Sequence, residues 1–246
     1  MARVRIDQLL VTRGLAPSRT RAQATVLAGE VFVGGARVDK VGALVAADAA
    51  VEVRGPDHPF VSRGGVKLAG ALDTFGVDVA GLRCLDLGAS TGGFTDCLLQ
   101  RGAARVVAVD VGYGLLAHKV RVDPRVVVLE RTNARTLEPS AIGGPADLTV
   151  VDASFIGLAK LLPAIAACTR PDGQLVALVK PQFEVGREQA SRSRGVVRDG
   201  TARTQAIDAV TKAVNDAGFE VLARCDSPLR GPKGNLEAFV HARRRA

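Results

Sequence analysis

Tryptophan is absent from the chain, tyrosine and methionine occur once each, and aromatic residues fill 4% of its 246 positions. Proteins that read single strands by stacking need aromatic platforms for the bases, so this composition argues against stacking as the main mode of recognition. Cysteine is also scarce. Cys84, Cys97, Cys168 and Cys225 stand far apart, and none forms a C-x-x-C pair. Neither a zinc site nor a redox motif is signalled, and no metal is expected. Isolated thiols in apolar surroundings read as buried residues of a cytoplasmic protein. No run approaches the roughly 20 uninterrupted apolar residues of a membrane span. The opening MARVRIDQLL lacks a long apolar core and a cleavage signal, so no signal peptide is expected. The expectation is a soluble chain without stable membrane insertion, with a monomer as the favoured state.

What is present is a large apolar fraction, 47%, enough for a substantial core in one or two domains. Twenty-seven glycines and eleven prolines imply many turns. Lys+Arg number 33 against 25 Asp+Glu, a net charge of +8, which favours a polyanionic partner such as nucleic acid or an acidic membrane surface.

Residues 1–58 read as a small α+β unit. RIDQLLVTRGL has helical spacing, with Gly14 near its end. SRTRAQATVLAGE follows, with Ser18 as N-cap and Gly29 as C-cap. VFVGGARV gives two short strands around Gly34-Gly35, and AAVEVRG a further strand. The arginines fit either a solvated helix face or an RNA surface. The pattern of Arg5, Asp7, Leu9, Leu10, Gly14, Ser18, Arg19, Ala22, Gly29, Val31 and Val33 resembles the S-four-type RNA-binding domain. That resemblance implies basic side chains against RNA backbone, where phosphate contacts position but do not specify sequence. Candidate contacts are Arg3, Arg5, Arg19, Arg21, Lys40 and Arg63. Pro17, in the LAPSR turn, departs from the extra basic residues common in that family and alters the expected RNA surface.

Residues 59–64 read as a linker and 65–246 as a second domain. There, apolar strand runs alternate with helical patterns and two strands close the chain. This order argues for an α/β fold with a mostly parallel sheet covered on both faces and a C-terminal antiparallel hairpin. Asp86-Leu-Gly-Ala-Ser-Thr-Gly-Gly-Phe94 joins its first strand to a helix. The glycines, at 88, 92 and 93, fit neither the dinucleotide fingerprint nor a P-loop. An acid precedes the loop, and another, Asp110, ends the next strand. These features resemble the class I (Rossmann-like) S-adenosylmethionine-dependent methyltransferases. The resemblance implies cofactor contacts from Asp86, Gly88, Ser90, Gly92, Gly93 and Phe94, with Asp110 on the ribose hydroxyls, Asn133 near the adenine and Asp152 at the next strand tip. A carboxylate can accept from two vicinal hydroxyls, which suits Asp110 to that place.

VALVKPQFE carries an apolar strand to Lys180, where Pro181 stops it, and LTVVD carries another to Asp152. Each charge alone could simply reach solvent. In a parallel sheet, however, both tips lie on the edge of the glycine loop. Lys67 reads as a helix-face residue and Glu237 as an outward position on the last strand. In this order the four resemble the Lys-Asp-Lys-Glu tetrad of the FtsJ (RrmJ)-type ribose 2′-O-methyltransferases. VSRGGVKL, DLGASTGGFTDCLLQ, VVDASFI, LVKPQFE, GVVRD and GNLEAF, together with the N-terminal domain, resemble the TlyA family over essentially the whole chain. That implies cytidine 2′-O-methylation in the RNA of both ribosomal subunits. Some members of that family carry a haemolysin label.

Two roles are open to Lys180: neutral, it takes the hydroxyl proton; charged, it orients the hydroxyl and stabilises the growing alkoxide. Asp152 and Glu237 would position the lysines. The arginine-rich EVGREQASRSRGVVRDG reads as a loop able to grip phosphates, and the target nucleotide must leave its helix to enter the pocket. With few aromatics, shape and phosphate reading of a folded RNA is the expected mode. Two rival readings are a membrane-active haemolysin and a non-catalytic RNA-binding ribosome assembly factor.

Overall fold

The computed structural model describes residues 3–55, 58–154, 156–184, 199–231 and 234–246. Its N-terminal part contains β1 (Arg3–Arg5), α1 (Ile6–Thr12), α2 (Arg19–Ala28), β2 (Val31–Val33), β3 (Ala36–Arg37), β4 (Leu44–Ala46) and β5 (Val51–Val53). The Ser18 side chain caps α2 by accepting from Arg21 N at 3.3 Å. β2 and β3 turn tightly through Gly34-Gly35 as expected, and β5 pairs with β2 on its other side. A second ladder, β1 against β4, was not expected; each strand is only three residues long, too short to show alternation. Ile6, Leu10, Ala22, Val26 and Val31 form a small core of their own.

The rest of the chain adds α3 (Arg63–Phe75), β6 (Arg83–Leu87), α4 (Gly93–Gln100), β7 (Arg105–Val109), α5 (His118–Arg121), β8 (Val126–Leu129), β9 (Ala146–Val151), α6 (Leu162–Cys168), β10 (Thr169–Val179), α7 (Pro181–Glu184), α8 (Gly200–Asp216), β11 (Phe219–Asp226) and β12 (Ala238–Arg244). The sheet order is β11-β12-β10-β9-β6-β7-β8. β12 runs antiparallel between β10 and β11, and β6, β7, β8, β9 and β10 are parallel neighbours. Alternate residues feed opposite layers. Leu85, Val107, Val151 and Ala177 face one core, while Cys84, Val106, Val150 and Val176 face the other. Both faces are therefore dry, which is why these strands read as unbroken apolar runs.

Three expectations shift. The linker expected at 59–64 is cut short, because α3 already begins at Arg63 after the extended Ser62. The helical pattern between β9 and β10 is not one helix: a 3₁₀ turn, Leu158–Lys160, precedes α6. Pro163, in the first turn of α6, has no N–H to continue a helix from the preceding turn. Glu237 stands one residue before β12 rather than inside it. The arginine-rich segment 185–198 and Phe155 lie outside the described residues. Among the described residues, no helix is long and apolar enough to cross a membrane.

Candidate active site

The chain passes from β6 to β7 to β8 on one side and returns to β9 on the other. The carboxyl ends of β6 and β9 thus flank a topological switch point, the usual ligand crevice of such sheets. Leu87 is level with Val151, and Asp152 N donates to Leu87 O at 2.9 Å. The two strand tips are locked side by side. Gly88 has φ +87°, and a Cβ there would lie 2.7 Å from Asp152 O, so no other residue fits without moving the backbone.

Asp110 organises the other wall. Its Oδ2 accepts from Ser90 N at 2.8 Å and its Oδ1 from Gly112 N at 2.6 Å. Ser90, a non-glycine residue at φ +48°, is held in that conformation by the first of these bonds. A carboxylate offers about four lone-pair sites, so Asp110 still has acceptor capacity facing the cavity.

Two adjoining cavities open here. The larger, of about 560 Å³, is lined by Gly88, Ser90, Asp110, Asn133, Asp152 and Ser154 with apolar Leu87, Val109, Leu115, Ile156 and Leu161. The smaller, of about 160 Å³, is lined by Lys67, Gly88, Ser90, Gly93, Phe94, Asp152, Ser154, Lys180 and Glu237. Apolar walls with a few convergent polar groups are what a nucleoside-bearing ligand requires. The donor set of the larger cavity fits S-adenosylmethionine. Asp110 can accept from ribose hydroxyls. Asn133 has its Oδ1 engaged by Arg135 N at 3.0 Å, which leaves its amide group to face a base.

The four tetrad candidates meet as two ion pairs. Lys67 Nζ lies 2.5 Å from Glu237 Oε2, with side chains 9% and 0% exposed. Lys180 Nζ lies 2.5 Å from Asp152 Oδ1 and donates to Ser154 Oγ at 2.7 Å. Burial pushes the Asp152 carboxyl upward, but the Lys180 and Lys67 charges outweigh burial and hold it below the usual carboxylate range. Asp86 behaves in the opposite way. Burial, with added repulsion from Asp152 and Asp110, lifts it to about 7 despite a hydrogen bond from Thr95 Oγ1 at 2.6 Å. Its other oxygen is buried without a hydrogen-bond partner among the described residues.

Not every candidate reaches the cavities. Asp86 is fully buried beneath the glycine loop and lines neither. Gly92 also stays outside their walls, packed towards Leu116. Among the RNA candidates, Arg5 and Arg19 turn their guanidinium groups to the buried Asp7, each at 2.9 Å. Gln23 Nε2 reaches the same carboxylate at 3.2 Å. These two arginines tie α1 to α2 before they meet any ligand. Arg3, Arg21 and Lys40 are exposed. Arg63 lies at the mouth of the smaller cavity, 3.6 Å from Asp39 and bonded to Arg230 O at 3.2 Å. Sequence reading missed Ser154, and it missed Leu27, a residue of α2 that lines both cavities. A serine two positions after a strand-end aspartate carried a weak signal; the approach of Leu27 carried none, since it depends on how the two parts pack.

Comparison with known proteins matches the chain to two families. The FtsJ-like methyltransferase family matches residues 60–244, and the S4 domain family matches residues 4–51. The chain is 51% identical to the 16S/23S rRNA (cytidine-2'-O)-methyltransferase TlyA of Mycobacterium tuberculosis, over 98% of its own length and 90% of that protein's. It is 38% identical to the Hemolysin A of Brachyspira hyodysenteriae, over 97% and 99% of the two chains. A solved structure from Streptococcus thermophilus superimposes with a TM-score of 0.77 at 41% identity, covering 100% of this chain and 90% of that one.

Proposed function

The chain belongs to the TlyA family of FtsJ-like methyltransferases, and on that premise we propose that it methylates the ribose 2′-hydroxyl of cytidine in ribosomal RNA, with S-adenosylmethionine as donor. The observation that carries this reading is the gathering of Lys67, Asp152, Lys180 and Glu237 around one cavity that adjoins a nucleoside-sized one. S-adenosylmethionine, when bound, supplies an electrophilic methyl group that needs no further activation.

The chain's own residues then have three tasks. Asp110 and Asn133 orient the nucleoside end of the donor in the larger cavity, while Gly88 and Ser90 bring backbone close to the rest. Lys180, charged, presents its N–H to the 2′-oxygen of the acceptor, orients it, and stabilises the negative charge that grows there as the hydroxyl proton passes to solvent water. Asp152, held anionic, fixes Lys180 against the glycine loop. Lys67 and Glu237 form the buried back wall of the same cavity. Orientation of this kind accounts for a large part of the barrier in reactions between a bound nucleophile and a reactive centre.

The N-terminal domain, 1–58, holds RNA through exposed Arg3, Arg21 and Lys40, with Arg63 at the cavity mouth guiding the ribose inward. We take assembled ribosomal subunits, met in the cytoplasm, as the substrate and a monomer as the acting form. Tritiated methyl transfer to purified subunits tests this reading. The wild type should label the RNA and Lys180→Ala should not, while calorimetry shows S-adenosylmethionine still bound by both. Liposome leakage by a protein that transfers no methyl group would instead support the membrane-active reading.

A further inference from the structure

Lys180 carries three N–H donors on a flexible four-carbon stem. A single anchor, Asp152 at 2.5 Å, sets how far the ammonium sits from the glycine loop but leaves rotation about the last bond open. Ser154 Oγ, at 2.7 Å, is a second anchor in a different direction. With the ammonium drawn to Asp152 by charge and one donor committed to Ser154, rotation about the last bond is stopped and the directions of the other N–H groups are set. The same serine lines both the cavity of about 160 Å³ and the cavity of about 560 Å³, so it stands on the wall shared by acceptor and donor. Its side chain is neutral. It can therefore aim the lysine without adding a second charge to the Lys180–Asp152 pair.

We propose that Ser154 is a positioning residue of the methyl transfer: its hydroxyl aims a remaining N–H of Lys180 at the acceptor ribose oxygen. This rests on the ribose-methyltransferase reading of the site. Ser154 is exposed and lies outside the hydrophobic cores, so its substitution leaves the fold intact. A hydroxyl has one donor and two acceptor lone pairs, and threonine keeps all of them, whereas alanine keeps none.

The test uses the full chain with purified ribosomal subunits and S-adenosylmethionine, comparing wild type, Ser154→Ala and Ser154→Thr. Ser154→Ala should lower kcat about 10- to 100-fold, the size of effect expected when a reacting group is slightly misplaced. KM for the subunits, affinity for S-adenosylmethionine by calorimetry, and melting temperature should stay at wild-type values, and Ser154→Thr should recover most of kcat. Wild-type kcat in Ser154→Ala overturns the inference. So does an equal loss in both variants, or a loss explained by weaker binding of the donor. No transfer by the wild type overturns the ribose-methyltransferase reading itself, and the inference with it.

Discussion

Lys67 and Lys180 are both about nine-tenths buried, and each lies 2.5 Å from a carboxylate oxygen, yet the two pairs differ in what surrounds them. Each carboxylate has one oxygen that is buried without a hydrogen-bond partner among the described residues, Glu237 Oε1 and Asp152 Oδ1, but Glu237 has no exposed side-chain surface at all. Asp152 keeps 24% of its side-chain surface exposed, and Lys180 has a neutral second partner in Ser154. The first pair is sealed and braces the cavity. In the second, Asp152 lines both cavities and Lys180 the smaller one. Burial alone therefore does not separate the two lysines; exposure on the carboxylate side does, and it favours Lys180 as the lysine proposed to act.

The largest expected effect of separating the pairs is on rate. Lys180→Ala should cut methyl transfer by about 10²- to 10³-fold, the range for a lost donor to a developing negative charge, with a smaller loss of stability than Lys67→Ala because Asp152 keeps 24% of its side-chain surface exposed. Lys67→Ala should act first on stability. It strands Glu237 as an uncompensated buried charge, which costs about 3–5 kcal/mol in comparable cases, and chemical denaturation would read this. Replacing both partners by apolar residues, Lys67→Met with Glu237→Leu, should recover most of that stability and no activity. Equal loss of stability in Lys67→Ala and Lys180→Ala would erase the distinction between the pairs.

A smaller effect separates two buried aspartates. Asp7 sits among Arg5, Arg19 and Gln23, and Asp86 sits under the glycine loop with Thr95. The hydrogen bond from Arg5 leads in holding Asp7 well below the usual carboxylate range; burial opposes this, and Arg19 and Gln23 reinforce it. Its stabilising contribution is present above about pH 4, the unfolded value, and is lost as pH falls. Asp86 is lifted to about 7, so the folded chain holds a proton that the unfolded chain releases. That contribution is present below about pH 4 and lost as pH rises towards 7. Asp7→Asn should therefore flatten the acid side of a stability-against-pH curve, and Asp86→Asn the stretch from about pH 4 to 7. The smallest effect belongs to the exposed cations. Removing Arg21 or Lys40 should weaken RNA binding nearly uniformly across sequences and lower the salt slope by about 1 each.

These contrasts also mark what could be read from residues alone. The parallel sheet and its hairpin were legible because dry strands appear as long apolar runs. Asp110, Asp152 and Lys180 were legible because each ends such a run. Lys67 and Glu237 were not: they stand 170 residues apart, and nothing local in either segment points to the other, so only the family resemblance singled them out. Arg5 and Arg19 read as RNA contacts because their partner, Asp7, lies within the same motif and gives no sign from sequence that it is buried beneath them. Leu27 and Ser154 became visible only when the cavities did.

The central claim is that the Lys180–Asp152 pair serves transfer to a ribose oxygen. Nucleoside mass spectrometry of ribosomal RNA treated with wild type and with Lys180→Ala tests it most directly. The account requires 2′-O-methylcytidine after treatment with the wild type and none after treatment with the variant. A methyl group on a base, or equal amounts of the ribose product from both proteins, would contradict it.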